Sequence, residues 1–375
     1  MKKFIILLLL LFPLTIRAED FEISAPSGIL MEYSTGKVLY EKNSHDKLAP
    51  ASMTKIMTLL LIMENLKSGK INLNDEVLIS NNASSMGGSQ VFLDPNTKIK
   101  LEELLKAIVV ASANDAAVAV SEYIAGTTDA FVNMMNEKAK ELGCDNTHFV
   151  NVHGLDADNH YTSAYDMALM AKELLKYEDI LKYTTIYEAY LNKPDGTSIW
   201  MVNTNKLIKY YNGLDGLKTG FTNVAGYCLT STAKRNNMRL ITVLMKEETS
   251  KIRNEETTKL LDYGFTNYKI KTIFSTNDSL GSIEIFNSKK KVYDLKLVND
   301  ATNLERATDN NNYTYNTKLM DVKAPLKAGD KVGDFEIISN GKVINTIDVT
   351  VKEDVLKANL WDLFKRNMSN VLIGN

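Results

Sequence analysis

The texture of apolar positions changes several times along the chain. Phe4 to Phe12 is an unbroken apolar run behind Lys2 and Lys3, with Ala18 a small residue where a signal peptidase could cut. The run is short for a bilayer span and no stop-transfer pattern follows it. Residues 1–18 therefore read as a removable export signal. Leu30 to Tyr33 and Lys37 to Tyr40 are strand-like runs joined by Ser34-Thr35-Gly36, a hairpin that opens a core sheet.

After Pro50 the period changes. Met53 to Leu66 is apolar with Lys55 and Glu64 as its only charges, the pattern of a helix buried on nearly all sides. Helical spacing returns in Leu101 to Val110 and Ala116 to Ile124, on either side of a Ser-Ala-Asn-Asp break, and again in Phe131 to Leu142 and Asp166 to Leu175. Gly216 to Gly220, Gly226 to Thr230 and Met238 to Met245 then read as successive strands, with a helix over Thr257 to Tyr263 packing back on them. Hairpin, helices, strands and helix in that order predict an α+β domain over residues 19–268, an antiparallel sheet flanked by helices.

A second shift comes near Tyr268. Ile270 to Val351 is turn-rich, with strict alternation in Lys291 to Leu297, and predicts a small all-β domain over residues 269–350. In the tail, residues 351–375, Leu356, Leu360, Leu363, Phe364, Met368, Val371 and Leu372 share one helical face. Trp361 lies at its edge, and Asp354, Lys365 and Arg366 are largely opposite. The expectation is an amphipathic helix lying in a membrane interface, although docking on a partner would produce the same pattern.

Composition narrows the field. The chain has 375 residues and 45% apolar content, enough for two cores. Its formal charge of −2 becomes −5 once Lys2, Lys3 and Arg17 leave with the signal, which argues against general nucleic-acid binding. Cys144 and Cys228 could pair after export, but two cysteines make no disulfide framework, and they read as free, buried or partly buried thiols. His45, His148, His153 and His160 lack zinc-type spacing and read as loop hydrogen-bonding groups. Neither a metal nor an organic cofactor is indicated.

Ser52-Met53-Thr54-Lys55 carries the chemistry. A serine hydroxyl is a poor nucleophile at neutral pH and needs a base within hydrogen-bond reach. Three residues along a helix is nearly one turn, so Ser52 and Lys55 can meet on one face, and a helix N-terminus favours developing negative charge. To act as a base, Lys55 needs a lowered pKa, which burial and a second nearby cation both provide.

Alone, S-x-x-K is a weak signal, because a serine at a helix start is usually a cap. Here Ser112-Ala113-Asn114 stands in the break between two helices and Lys218-Thr219-Gly220 on an expected strand. Ser112 can relay a proton between Ser52, Lys55 and the leaving amine, while Asn114 holds the substrate amide and orients Lys55. Lys218 supplies a fixed cation and Thr219 a hydroxyl, which suits a substrate ending in a carboxylate. Gly220 is expected to keep the strand edge clear for the substrate backbone. The N–H groups of Ser52 and Phe221 form the natural oxyanion pair, and losing one such donor costs about 3 kcal/mol.

In order, spacing and context the trio resembles that of the serine penicillin-recognising enzymes. Beyond it, Ala51 to Lys55, Ser85 to Ser89, Asn151 to Leu155, Thr162 to Ala168, and Gly216 to Thr222 with Ala225-Gly226-Tyr227 resemble the low-molecular-weight penicillin-binding proteins, the serine-type D-alanyl-D-alanine carboxypeptidases. The resemblance implies the transpeptidase-like fold and release of the terminal D-alanine from peptidoglycan stem pentapeptides through an acyl-serine. It further implies covalent inhibition by β-lactams and an extracytoplasmic, membrane-associated location. Arg253 then helps to hold the terminal carboxylate, and Ser85 to Ser89 belongs to a loop beside the cleft. Phe221 departs from the histidine often found after K-T-G. Two alternatives stay open, a serine β-lactamase and a penicillin-binding sensor or scaffold with little turnover. Glu188-Ala189-Tyr190-Leu191-Asn192 spells the E-x-x-L-N of class A β-lactamases but lies too near Lys218, and reads as a coincidence within a helical turn.

Overall fold

The expected hairpin forms, as Ser27–Glu32 paired with Val38–Lys42, and it is the edge of a larger sheet. This computed structural model describes residues 21–365, so the export signal and the last part of the tail, with Arg366, Met368, Val371 and Leu372, lie outside the described residues. The core sheet is antiparallel throughout, in the order Val38–Lys42, Ser27–Glu32, Met238–Glu247, Gly226–Arg235, Leu214–Thr222. Period-two alternation divides it between two cores. Ile29, Met31, Ile241 and Val243 face the helical side, while Leu30, Leu240 and Leu244 face the helix Ser250–Asn267. Each fully buried Leu or Ile there stabilises the fold by roughly 1.5–3 kcal/mol.

Lys55–Lys67 is the central helix, and Ile56 through Met63 are all buried, as an apolar sequence on every face requires. Leu101–Lys106 runs on through a wider turn, Ala107–Ala111, and stops at Ser112 in the left-handed conformation, φ 61°. The chain restarts as the helix Asn114–Ala125. The S-x-N residues thus sit at a sharp break, inside the domain rather than on a surface loop.

The carboxyl-terminal part is all-β, as the alternation predicts. A five-stranded sheet holds Ser282–Glu284, Val292–Leu297, Lys342–Val351, Lys331–Ser339 and Thr314–Leu319 in that order, and Tyr268–Phe274 pairs with Ala301–Arg306. Tyr293, Leu295, Leu297, Phe335, Ile337, Val349 and Val351 form its core.

Two expectations need correction. Glu188–Asn192 is not a helical turn but a strand, paired with Ser198–Val202 in a separate two-stranded hairpin. Tyr190, Ile199 and Trp200 are β-branched or aromatic, and they outweigh the local helical look. The amphipathic helix also does not begin at Val351. Val355 is buried and exchanges backbone hydrogen bonds with Leu326 (3.0 and 2.8 Å), and the Ala358 N–H donates to Asn287 (2.8 Å), so residues up to 358 belong to the β-rich domain. Helix starts at residue 360, where Asn359 and Asp362 cap each other reciprocally, the Asp362 N–H on Asn359 Oδ1 (2.8 Å) and the Asn359 N–H on Asp362 Oδ2 (3.2 Å). Leu356 therefore lies off the helix, while Leu360, Trp361 and Phe364 are exposed on it.

Candidate active site

Ser52 stands in the tight turn Ala51–Thr54 that leads into the central helix. Ala51 takes a positive φ of 47°, held by the Thr54 hydroxyl, which donates to the Ala51 carbonyl (2.9 Å). His160 supports that turn from outside. Its Nδ1 accepts from the Val150 N–H (2.9 Å), which leaves Nε2 as the protonated nitrogen facing Thr54 Oγ1 (2.8 Å). Burial and the neighbouring His148 hold His160 down to about 4, so it is neutral in ordinary conditions. Gly154 completes the support at φ +92°, because a Cβ there would lie 1.8 Å from the Ala51 carbonyl oxygen.

Lys55 is wholly buried, and its Nζ donates to Ser52 Oγ (3.1 Å), Asn114 Oδ1 (2.6 Å) and the His153 carbonyl (2.8 Å). Among the described residues no carboxylate pairs with it. Burial first, and the Lys218 charge second, push its pKa well below the usual lysine range, with Asp115 pulling weakly the other way. Asn114 is fixed in turn, as its Nδ2 donates to Gly87 and its backbone N–H to Ser89, each at 2.7 Å. Asp115, also buried, accepts from the Val91 and Leu93 N–H groups (both 3.1 Å to Oδ2), so the Gly87-to-Leu93 loop is stitched to the S-x-N turn. Ser112 Oγ is buried beside them without a partner among the described residues.

The third wall is the strand Leu214–Thr222. Lys218 is 1% exposed and held down to about 7 by burial and by the Arg253 charge. Thr219 Oγ1 donates to Thr204 Oγ1 (2.7 Å). A Cβ at Gly220 would lie 2.8 Å from the Pro50 carbonyl oxygen and 3.2 Å from the Met53 nitrogen. The reading of that glycine changes accordingly, since it lets the strand press against the Ser52 turn rather than clearing room for substrate. Phe221 is half exposed and packs against Tyr227, its cross-strand partner, at 4.3 Å between ring centres. Arg253 is nearly buried, and its guanidinium donates to Asn254 Oδ1 (2.9 Å).

The structure thus joins Ser52, Lys55 and Asn114 by direct contact and faces them with Lys218, Thr219 and Gly220. Arg253 reaches the cleft only through its field on Lys218. Sequence reasoning missed Gly154, His160, Asp115 and the His153 carbonyl. Asn151 to Leu155 was already among the matching stretches, but a carbonyl leaves no mark in residue type. Glu188 lies on the exposed face of its hairpin, where its carboxylate accepts from Trp200 Nε1 (3.2 Å). The cysteines are both free and buried, and no group of three or more potential metal ligands occurs among the described residues.

A half-buried serine on a wholly buried lysine, under a lysine-bearing edge strand, defines a serine acyltransferase of the penicillin-binding fold. Comparison with known proteins agrees: residues 14–249 match the D-alanyl-D-alanine carboxypeptidase family and residues 268–357 the penicillin-binding protein 5 C-terminal domain. The D-alanyl-D-alanine carboxypeptidase DacF of Bacillus subtilis is 46% identical over 94% of this chain and 92% of its own length. Penicillin-binding protein 5 of Haemophilus influenzae superposes with a TM-score of 0.71 at 32% identity, covering 90% of this chain and 98% of that one. PBP3 of Streptococcus pneumoniae, a peptidoglycan synthesis regulatory factor, gives 0.74 at 29% identity, covering 89% and 100%. The chain belongs to the low-molecular-weight penicillin-binding proteins, the serine-type D-Ala-D-Ala carboxypeptidase family.

Proposed function

We propose that the protein removes the terminal D-alanine of peptidoglycan stem pentapeptides with Ser52 as nucleophile and Lys55 as its base. The observation that carries this is the state of Lys55, a buried amine 3.1 Å from Ser52 Oγ and held by two neutral acceptors. With burial and the Lys218 charge lowering its pKa and no carboxylate among the described residues to restore it, the amine can lose its proton more readily than an ordinary lysine and take one from the serine.

Ser52 Oγ attacks the carbonyl of the penultimate D-alanine while its proton passes to Lys55. The backbone N–H groups of Ser52 and Phe221 receive the oxyanion. As the tetrahedral species collapses, the C–N bond breaks and Ser112, whose hydroxyl has no partner among the described residues, relays the proton to the departing amine. Water then attacks the acyl-serine, and the acid leaves with Ser52 restored. Lys218 and Thr219 hold the substrate carboxylate, and Arg253 strengthens the positive field behind them. Asn114 keeps Lys55 aligned and meets the substrate amide. A β-lactam presents the same acyl group and carboxylate, and acylates Ser52.

Purified protein incubated with a D-Ala-D-Ala pentapeptide should lose one alanine from the peptide by mass spectrometry and form an adduct with penicillin. Ser52→Ala should do neither, and an adduct that persists in that variant overturns the nucleophile. Rapid β-lactam hydrolysis without D-alanine release would instead favour the β-lactamase reading.

Residues 1–18 direct export, and the exposed Leu360, Trp361 and Phe364 begin a helix that rests on the outer face of the cell membrane. Among the described residues no helix is long and apolar enough to cross a membrane, and what supports an interfacial contact is the amphipathic pattern of the tail. Ending the chain after Ala358 spares the β-rich domain. It should move the protein to the soluble fraction with activity on a soluble peptide retained, and unchanged membrane association refutes the anchor.

A further inference from the structure

The Glu188–Asn192 and Ser198–Val202 hairpin has one face in the core and one in solvent. Leu191 and Met201 are buried, whereas Tyr190 and Trp200, directly paired across the strands, are 60% and 59% exposed. The Trp200 ring is tethered. Trp200 Nε1 donates to Glu188 Oε2 (3.2 Å) on one side of the pair, and Ser198 Oγ donates to Asn192 Oδ1 (2.9 Å) on the other. At the turn end Lys193 grips Asp94 (2.9 Å), and at the base the Asn203 N–H donates to Tyr187 (2.7 Å).

We propose that this face is a saccharide subsite that takes the amino-sugar glycan strand from which the stem peptide hangs. A pyranose ring offers an apolar C–H face and a polar rim of hydroxyl and acetamido groups. Two exposed rings, one of them tethered, flanked by a carboxylate, an amide and a hydroxyl match both parts at once. A lipid or a folded protein would call for a wider continuous apolar area than two side chains provide.

Reach supports the same occupant. Thr204 touches Thr219 of the K-T-G strand, and Trp200 lies four positions before it, at most about 14 Å of extended chain. A five-residue stem spans at most about 17 Å. A pentapeptide whose terminal residue lies at Thr219 can therefore place its sugar end at the ring pair. The subsite rests on the carboxypeptidase reading, in which the substrate is glycan-linked.

The test compares the full chain acting on the free pentapeptide and on the same stem carried by a glycan oligomer. The wild type should prefer the glycan-linked form roughly tenfold in kcat/KM, and the Tyr190→Ala, Trp200→Ala double variant should bring that ratio toward one. Penicillin acylation measured in parallel reports that the cleft has folded. The chain has two tryptophans, so in a Trp361→Phe background Trp200 fluorescence alone can be titrated with a peptide-free glycan oligomer, and a saturable change is expected. A ratio unmoved by the double variant, or a flat titration, overturns the subsite. Failure to release D-alanine from either substrate sinks the parent reading instead, and the titration then decides the subsite by itself.

Discussion

In the catalytic domain Lys55 and Lys218 are 0% and 1% exposed, whereas in the β-rich domain no lysine is buried. The second group keeps its ammonium groups in water and pairs many of them. Lys331 bridges Asp348 (2.6 Å) and Asp334 (2.9 Å), which hold its pKa above the usual range, and Lys318 meets Glu336 (2.6 Å). The first group has lost both water and counter-ion. Burying an unpaired amine costs several kcal/mol in its charged form, and the group responds by favouring the neutral one. The same side chain is thus a hydrated charge in one domain and a buried amine biased toward its neutral form in the other. The large apolar core around the central helix offsets the cost.

The sharpest way to break this contrast is Lys55→Arg. A guanidinium retains the charge and the donors for Asn114 and His153 but cannot be deprotonated. If Lys55 were only a structural cation, activity would largely survive. As a base it is irreplaceable, and the acylation rate by penicillin should fall by about 10²–10⁴.

Lys218 sharpens the contrast through pH. Lys55 becomes a competent base as pH rises through its lowered pKa, while Lys218 loses its charge as pH rises through about 7. For the free enzyme kcat/KM should therefore climb, then decline above neutrality as the cation facing the substrate carboxylate disappears. Lys218→Arg keeps that cation at every pH, so the descending limb should vanish, with roughly tenfold relative gain at the alkaline end. A limb that stays in the variant belongs to another group.

Much of this was legible beforehand, because it rested on residue type at fixed spacing. Ser52, Lys55, Ser112, Asn114 and Lys218 were placed by motif, and the buried helix and the β-rich domain by period. The Glu188 strand was misread because short segments carry both periods, and only its partner, Ser198–Val202, decides between them. The tail helix was placed too early, from residue 351 rather than 360. Its apolar residues fit a helical face, yet Val355 belongs to the β core, and the Asn359/Asp362 cap marks the true start. Gly154 acts by shape, His160 through its two ring nitrogens and His153 through its backbone carbonyl, and such contacts exist only once distant segments have met.

The smallest effect lies at the other pole of the comparison. Lys318 forms a short ion pair with Glu336, but its side chain is 62% exposed, so the pair gains little over two hydrated ions and pays in side-chain freedom. Lys318→Ala should change unfolding free energy by about 0.5 kcal/mol or less and leave the pH profile of D-alanine release where it was. Denaturant unfolding and the same kinetic assay check both. A loss of several kcal/mol, or a displaced pH limb, would show that the surface lysines of the β-rich domain are coupled to the cleft, and the division drawn between buried and hydrated amines would fail.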